Sequence, residues 1–179
     1  YSFLVHILNS AGVSRFPKAQ MGMVRLGIGL YGIGFNKDEQ HYLRNVSTLK
    51  TIISQIKRVK AGETIGYNRK GIANTDLVIA ILPIGYADGF SRRLGNGAGK
   101  VMINGFPAKT IGNISMDTCT VDITKLFASP ESSAIHEGDE VIVFGDAYPV
   151  TQLARDLGTI PYEILTGISR RVKRVYFFE

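Results

Sequence analysis

Residues 1–36 constrain the fold most, because they read as strand, short helix and strand, a unit that needs parallel neighbours to cover both faces. Tyr1 to Leu8 is a nearly continuous apolar run, the mark of a strand buried on two sides. Asn9-Ser10-Ala11-Gly12 breaks that run, and Pro17 to Met23 is predicted to hold a short helix. Val24 to Gly32 is predicted as a second buried strand whose glycines admit close backbone approach. So short a segment cannot close a sheet or a barrel by itself and calls for further strands. The first residue, Tyr rather than Met, fits a fragment or a processed chain.

From about residue 45 the pattern turns mostly β. Strands are predicted at Leu49–Val59, Asp76–Leu82, Lys100–Ile103, Ala108–Ile111, Asp117–Ile123, Asp139–Phe144 and Arg171–Phe178. Turn signals such as Asn104-Gly105, Ala61-Gly62-Glu63 and Gly145-Asp146 separate them. Lys125 to Gly138 reads as a polar loop. Thr151 to Leu157 reads as a helix capped by Thr151 and stopped by Gly158, and Pro161 opens another helical turn through Leu165. The expected class is therefore mainly β, with a strand-helix-strand piece in front of a β domain.

Composition narrows the function classes. Hydrophobic residues make up 45%, enough for a packed core. No apolar run approaches the ~20 residues of a membrane helix, and Tyr1 to Asn9 lacks the basic leader and cleavage pattern of a signal peptide. The single cysteine, Cys119, excludes an internal disulfide framework and fits a reducing, cytoplasmic compartment. Its apolar strand setting reads as a buried thiol rather than a reactive one. The histidines His6, His41 and His136 are scattered, without metal-ligand spacing. The net charge of +6 permits attraction to a phosphate, a carboxylate or nucleic acid without choosing among them.

Four places could carry chemistry. Asn9 to Gly12 follows a buried strand, where α/β folds bind phosphates, but an ordinary turn explains it as well. Arg25 lies in an apolar strand, where a guanidinium needs an anion or acceptor unless it emerges at the sheet edge; His6 on the preceding strand is a candidate neighbour. Gly66-Tyr67-Asn68 and Gly85-Tyr86-Ala87-Asp88-Gly89 each set a phenol beside flexible backbone, suited to proton transfer or simply to packing. Gly112-Asn113-Ile114-Ser115-Met116-Asp117 is a small, polar stretch leading into a strand, which turn chemistry also explains.

Taken in order, these places form a pattern. Asn9-Ser10, Met23-Val24-Arg25-Leu26-Gly27-Ile28 with Tyr31-Gly32, Gly66-Tyr67 and Pro83-Ile84-Gly85-Tyr86-Ala87-Asp88-Gly89 come first. Ile111 to Asp117, Ile160-Pro161-Tyr162-Glu163 and Arg171-Val172-Lys173-Arg174-Val175-Tyr176 follow. The set resembles bacterial alanine racemases, enzymes that use pyridoxal 5′-phosphate (PLP), from about Val5 to Tyr176. Each motif alone is weak; their order makes the resemblance specific.

The resemblance implies that residues 1–36 are the last piece of the PLP-binding α/β barrel and residues 37–179 the C-terminal β domain. A full barrel needs ~250 residues, and the cofactor lysine of the family lies near its start, so no lysine here is given that role. It implies Ser10, Gly27, Ile28 and Tyr162 at the PLP phosphate, Arg25 at the pyridine nitrogen and His6 behind Arg25. Tyr67 corresponds to the catalytic tyrosine that exchanges the substrate's Cα proton on one face. Tyr86 and Met116 would meet the substrate, the Met116 N–H at its carboxylate. Tyr67, Tyr86 and Met116 would serve the partner subunit's site, which makes the working enzyme a homodimer that interconverts L- and D-alanine for peptidoglycan synthesis. Asn113 is a departure, since many members carry arginine there on the path into the site. Asp117 matches an acidic position of open role.

Other readings remain in view. A decarboxylase of the same fold type would need a cysteine motif in the β domain and an acidic residue at the ring nitrogen, which Arg25 and Gly66-Tyr67 oppose. A broader-range PLP amino-acid racemase would share most of this half. A basic β-barrel that binds nucleic acid would need clustered basic residues with exposed aromatics, and here the basic residues are spread along the chain. Neither a nucleic-acid partner nor a membrane is therefore expected.

Overall fold

A computed structural model describes residues 1–128 and 135–177. The chain forms two compact units, Tyr1–Thr48 and Leu49–Glu179.

In the first unit, Asn9 opens helix α1 (Ser10–Arg15): its side-chain oxygen accepts the Gly12 N–H at 3.0 Å. The break after the first apolar run is thus a helix start. The helix expected at Pro17–Met23 shrinks to a single 3-10 turn, Pro17–Ala19. A second 3-10 turn, Ile28–Tyr31, ends at left-handed Gly32. There a Cβ would fall 1.7 Å from the Arg44 carbonyl oxygen, so only glycine fits. Helix α2 (Lys37–Tyr42) is capped by Asn36.

Tyr1–Leu8 and Val24–Gly32 are not regular strands. They are joined where Gly22 N–H meets Val5 O (3.3 Å) and Arg25 N–H meets Leu8 O (3.0 Å). Nor are they buried on two faces: Phe3 is 78% exposed and Ile7 62%. A parallel strand forms a regular ladder when neighbours hold both of its edges, and within this unit these two segments have only each other.

The second unit is built on a seven-stranded antiparallel sheet. Its strands are β1 (Leu49–Ile52), β2 (Gln55–Val59), β5 (Leu77–Leu82), β6 (Lys100–Ile103), β7 (Phe106–Thr110), β8 (Cys119–Asp122) and β9 (Glu140–Phe144). A small hairpin, β3 (Thr64–Ile65) with β4 (Gly71–Ile72), stands apart from it. The sheet order is β1-β9-β6-β7-β8-β5-β2. Its two edges, β1 and β2, are separated in sequence only by Ile53 and Ser54, so the sheet must curl until its edges approach. The step between edges is visible in the bonding: Ile53 N–H reaches Asp139 O, and Ser54 N–H reaches Ile81 O, both at 2.9 Å. The single strand expected over Leu49–Val59 is therefore two, because the backbone changes partner at Ile53–Ser54.

Alternation fills the interior. Val101 and Ile103 on β6, Val121 on β8, and Val141 and Val143 on β9 are fully buried, while Lys100, Met102, Thr120, Asp122, Glu140 and Ile142 between and beside them are more exposed. Asn104 and Gly105 both take positive φ (50° and 82°), the geometry of a tight two-residue hairpin, and this starts β7 at Phe106 instead of Ala108. Strands β5, β6, β8 and β9 keep their expected places within two residues.

Helix α3 (Thr124–Ala128) occupies the start of the expected polar loop, whose residues 129–134 lie outside the described residues. Helices α4 (Val150–Leu157) and α5 (Pro161–Gly167) pack together. Pro149, not Thr151, holds the N-cap of α4, and Gly158 ends it in the left-handed conformation, φ 67°. Residues 171–177 form no strand; the Arg174 guanidinium folds back onto the carbonyls of Ile168, Ser169 and Val172, and Phe178 lies outside the described residues. Among the described residues no helix is long and apolar enough to cross a membrane.

Candidate active site

The residues singled out in the sequence fall into two groups, one in each unit. In the first unit, α1 presents Ser10 at its first position, with the side chain buried. Its Oγ accepts the Gly27 N–H at 2.7 Å and, at a longer 3.5 Å, the Gly29 N–H. Residues seventeen and more positions apart thus converge on one hydroxyl. Both bonds use the oxygen as acceptor, so the Ser10 O–H is left to donate. Cβ atoms on Gly27 and Gly29 would lie 3.8 Å from the same oxygen, so the two glycines leave its surroundings open. Ile28 follows Gly27 in the 3-10 turn.

Arg25 is exposed, and its Nη2 donates to Ile7 O at 3.2 Å, the carbonyl next to exposed His6. The Arg25 charge is solvated and needs no buried counter-ion.

In the second unit Tyr67 stands on the turn joining β3 to β4 and is 74% exposed. The turn is unusual: Gly66, Asn68 and Arg69 have φ of 77°, 60° and 54°. Arg69 Nε donates to Thr64 Oγ1 at 2.9 Å. From a different loop, Asn113 Nδ2 donates to the Tyr67 carbonyl at 3.1 Å, and Asn96 Nδ2 donates to Asn113 Oδ1 at 3.0 Å.

Tyr86 and Met116 lie on adjoining turns. Tyr86 N–H donates to Ser115 O (3.1 Å) and Ala87 N–H to Met116 O (3.0 Å). Gly85 makes this approach possible, since a Cβ there would fall 2.3 Å from Met116 O and 2.4 Å from Ser115 O. The Arg92 guanidinium sits over the Tyr86 ring, 6.0 Å from its centroid. Tyr86 is half exposed and Met116 is 52% exposed, so both face outward from a rigid base. Tyr162, in the first turn of α5, is likewise partly exposed, and its carbonyl accepts the Thr166 hydroxyl at 2.7 Å.

Three features escaped the sequence reading. Arg171 bridges two carboxylates, Asp88 Oδ1 at 2.7 Å and Asp117 Oδ1 at 2.6 Å. The hydrogen bond from Arg171 holds the Asp88 carboxyl below the usual carboxylate range. The Asn96–Asn113 relay was equally unforeseen. So was the buried Tyr148, whose hydroxyl donates to Asp156 Oδ2 at 2.6 Å beside Lys100. Burial, with that hydrogen bond second, pushes the Tyr148 phenol up. Asp88, Asn113 and Asp117 stood inside recognised motifs, but nothing in the sequence pairs them with partners so far away.

Comparison with known proteins places this geometry. The family described as "Alanine racemase, C-terminal domain" matches residues 46–176. Alanine racemase 1 of Clostridium acetobutylicum is 39% identical over 96% of this chain and 44% of its own length. The solved alanine racemase of Clostridium difficile 630 superposes with a TM-score of 0.85 at 40% identity, over 97% of this chain and 45% of that one. The alanine racemase of Bartonella henselae, solved with covalently bound pyridoxal phosphate, gives 0.84 at 32% identity, over 99% and 48%. The chain spans about half the length of the relatives it matches. It belongs to the alanine racemase family.

Proposed function

We propose that these residues are the C-terminal part of a PLP-dependent alanine racemase that interconverts L- and D-alanine for peptidoglycan synthesis in the cytoplasm. In this reading residues 1–36 complete the barrel that holds the cofactor, and 37–179 form the β domain. The cofactor lysine then lies outside these 179 residues. The observation that carries the reading is the buried Ser10 hydroxyl, which gathers the Gly27 and Gly29 amides in a chain of this family.

That cluster suits a phosphate. The Ser10 O–H is available as a donor, and Gly27 and Gly29 put no side chain beside it. Gly27 and Ile28 would share the phosphate with Ser10, and Tyr162 would add its phenol. Bound there, PLP would supply the electron sink that loosens the substrate's Cα–H bond. Arg25, permanently protonated, would leave the ring nitrogen without a proton and keep that sink weak, which favours returning the proton to Cα over other outcomes. His6 would stand behind Arg25.

Tyr67 would take the Cα proton on one face and return it there in the reverse direction, while the lysine outside this chain serves the other face. Inversion at one carbon requires a base on each side. Tyr86 and Met116 would position the substrate, with the Met116 amide at its carboxylate. The exposure of Tyr67, Tyr86 and Met116 supports a site completed by a second copy, a homodimer in which each β domain serves the partner's barrel.

The test is alanine racemisation with added PLP, assayed for the longer protein that carries these residues and for the 179-residue chain alone. Turnover is expected from the first and none from the second. Racemisation by the chain alone, or none by the longer protein, would contradict the proposal.

A further inference from the structure

We propose that Asn113 is a positioning residue for Tyr67, locking the turn that presents the phenol; this rests on the reading of Tyr67 as a proton carrier. Tyr67 is displayed on a short hairpin turn with Gly66, Asn68 and Arg69 all at positive φ. Two of those three are not glycine, and each such residue raises the turn's energy relative to relaxed backbone. A turn of that kind keeps its shape only when its surroundings hold it.

Asn113 supplies a hold from outside the turn. Its Nδ2 donates to the Tyr67 carbonyl at 3.1 Å, so the bond acts on the residue that carries the phenol. The orientation of the Asn113 amide is itself fixed. Asn96 Nδ2 donates to Asn113 Oδ1 at 3.0 Å, which leaves Nδ2 as the end turned toward Tyr67. Asn96 is anchored in turn, its own N–H donating to Gly112 O at 2.8 Å.

The two loops also meet through backbone. A Cβ on Gly112 would fall 2.7 Å from Ile65 O, and one on Gly71 would fall 3.0 Å from the Gly112 backbone. Backbone contact sets the distance between the loops, and the Asn96–Asn113–Tyr67 relay sets the angle of the turn. An arginine at 113 would present a longer, purely donating group with no acceptor for Asn96. The relay therefore depends on the amide found in this chain.

The experiment uses the full-length racemase that carries this chain, with Cα-deuterated L- and D-alanine as substrates. Variants are Asn113→Ala, Asn96→Gly (which keeps the φ of 55° comfortable) and each combined with Tyr67→Phe. Losing the hold on a proton carrier should lower kcat about three- to tenfold for Asn113→Ala, with less effect for Asn96→Gly. KM should barely move. The isotope effect should rise in the direction in which Tyr67 removes the deuteron and fall in the other, because only one of the two proton transfers has been slowed. In the Tyr67→Phe background neither substitution should have a further effect.

Equal loss in both backgrounds, or isotope effects that shift alike in the two directions, would overturn the positioning role. So would unchanged kinetics of Asn113→Ala and Asn96→Gly in an enzyme that Tyr67→Phe disables. If Tyr67→Phe itself turns over normally, it is the reading of Tyr67 that fails, a separate outcome.

Discussion

Arg171 holds the Asp88 carboxylate at 2.7 Å from 83 positions further along the chain, and its other arm reaches Asp117 at 2.6 Å. Asp88 also accepts the Gly85 N–H at 2.9 Å, so one guanidinium ties down both the Tyr86 turn and the Met116 turn. The bridge is half exposed on the arginine side, so solvent screens it and its contribution to stability is modest.

Arg171→Met should therefore destabilise the protein modestly at neutral pH, read as a small downward shift in the denaturant midpoint. Asp88 is held below its ordinary value in the folded state. Its contribution is thus present above the unfolded carboxylate pKa and is lost as pH falls through the lowered folded value. The difference between wild type and Arg171→Met should shrink as pH drops below about 4. A difference that grows toward acid would contradict the bridge.

Gly85→Ala should be far more damaging than an ordinary surface change. Its Cβ would meet two carbonyl oxygens inside 2.5 Å and push the Tyr86 and Met116 turns apart. A loss of ~2–4 kcal/mol is expected by urea unfolding. A loss under about 0.5 kcal/mol would mean the turns separate freely.

Much of this was legible in advance, for identifiable reasons. Alternation and turn chemistry marked most sheet strands, because Val101 and Ile103, Val121 and Ile123, and Val141 and Val143 each recur at period two and Asn104-Gly105 punctuates. The break at Ile53–Ser54 was not legible, because both halves are apolar enough for one strand and the bend depends on which partners each finds. The expected strand after Arg171 failed because its basic residues bind side chains and carbonyls instead of pairing. Residues 1–8 read as a buried strand because their apolar run is nearly continuous, but an apolar run does not say what covers it, and here it is mostly exposed. At the candidate site, Ser10, Tyr67 and Tyr86 were singled out through the ordered set of motifs that resembles the family, each motif alone reading as well as a turn or a packed aromatic. Asn96, Asn113 and Arg171 act through partners distant in sequence, which no local pattern reveals.

Ser10→Ala should weaken cofactor retention in the longer enzyme. It leaves the part-buried Gly27 N–H without its 2.7 Å acceptor and removes the donor offered to the phosphate. A tenfold rise in the PLP dissociation constant is the order expected for one lost hydrogen bond to a charged group, about 1.5 kcal/mol. Unchanged PLP affinity, measured by dialysis and absorbance, would remove Ser10 from the phosphate site.

Cys119 should be silent to thiol reagents in the native protein. It is buried in β8, and desolvation pushes its thiol up to about 12. Reaction with a colorimetric disulfide should appear only on unfolding, with the same midpoint as the loss of structure. Rapid modification of the folded protein would contradict its burial.

Tyr67 stands exposed on the β3–β4 turn, as its proposed role in moving the Cα proton on one face of alanine requires. Solvent exchange tests it most directly. The Tyr67→Phe enzyme, with PLP and either pure enantiomer, is incubated in D2O, and deuterium at Cα is followed by NMR. Phe keeps the ring and loses only the hydroxyl, so PLP binding should hold while racemisation falls by ~10² to 10⁴. Deuterium should still enter the enantiomer served by the lysine and should stop entering the other. Near-normal racemisation, or deuterium entering both enantiomers at similar rates, would contradict the role of Tyr67.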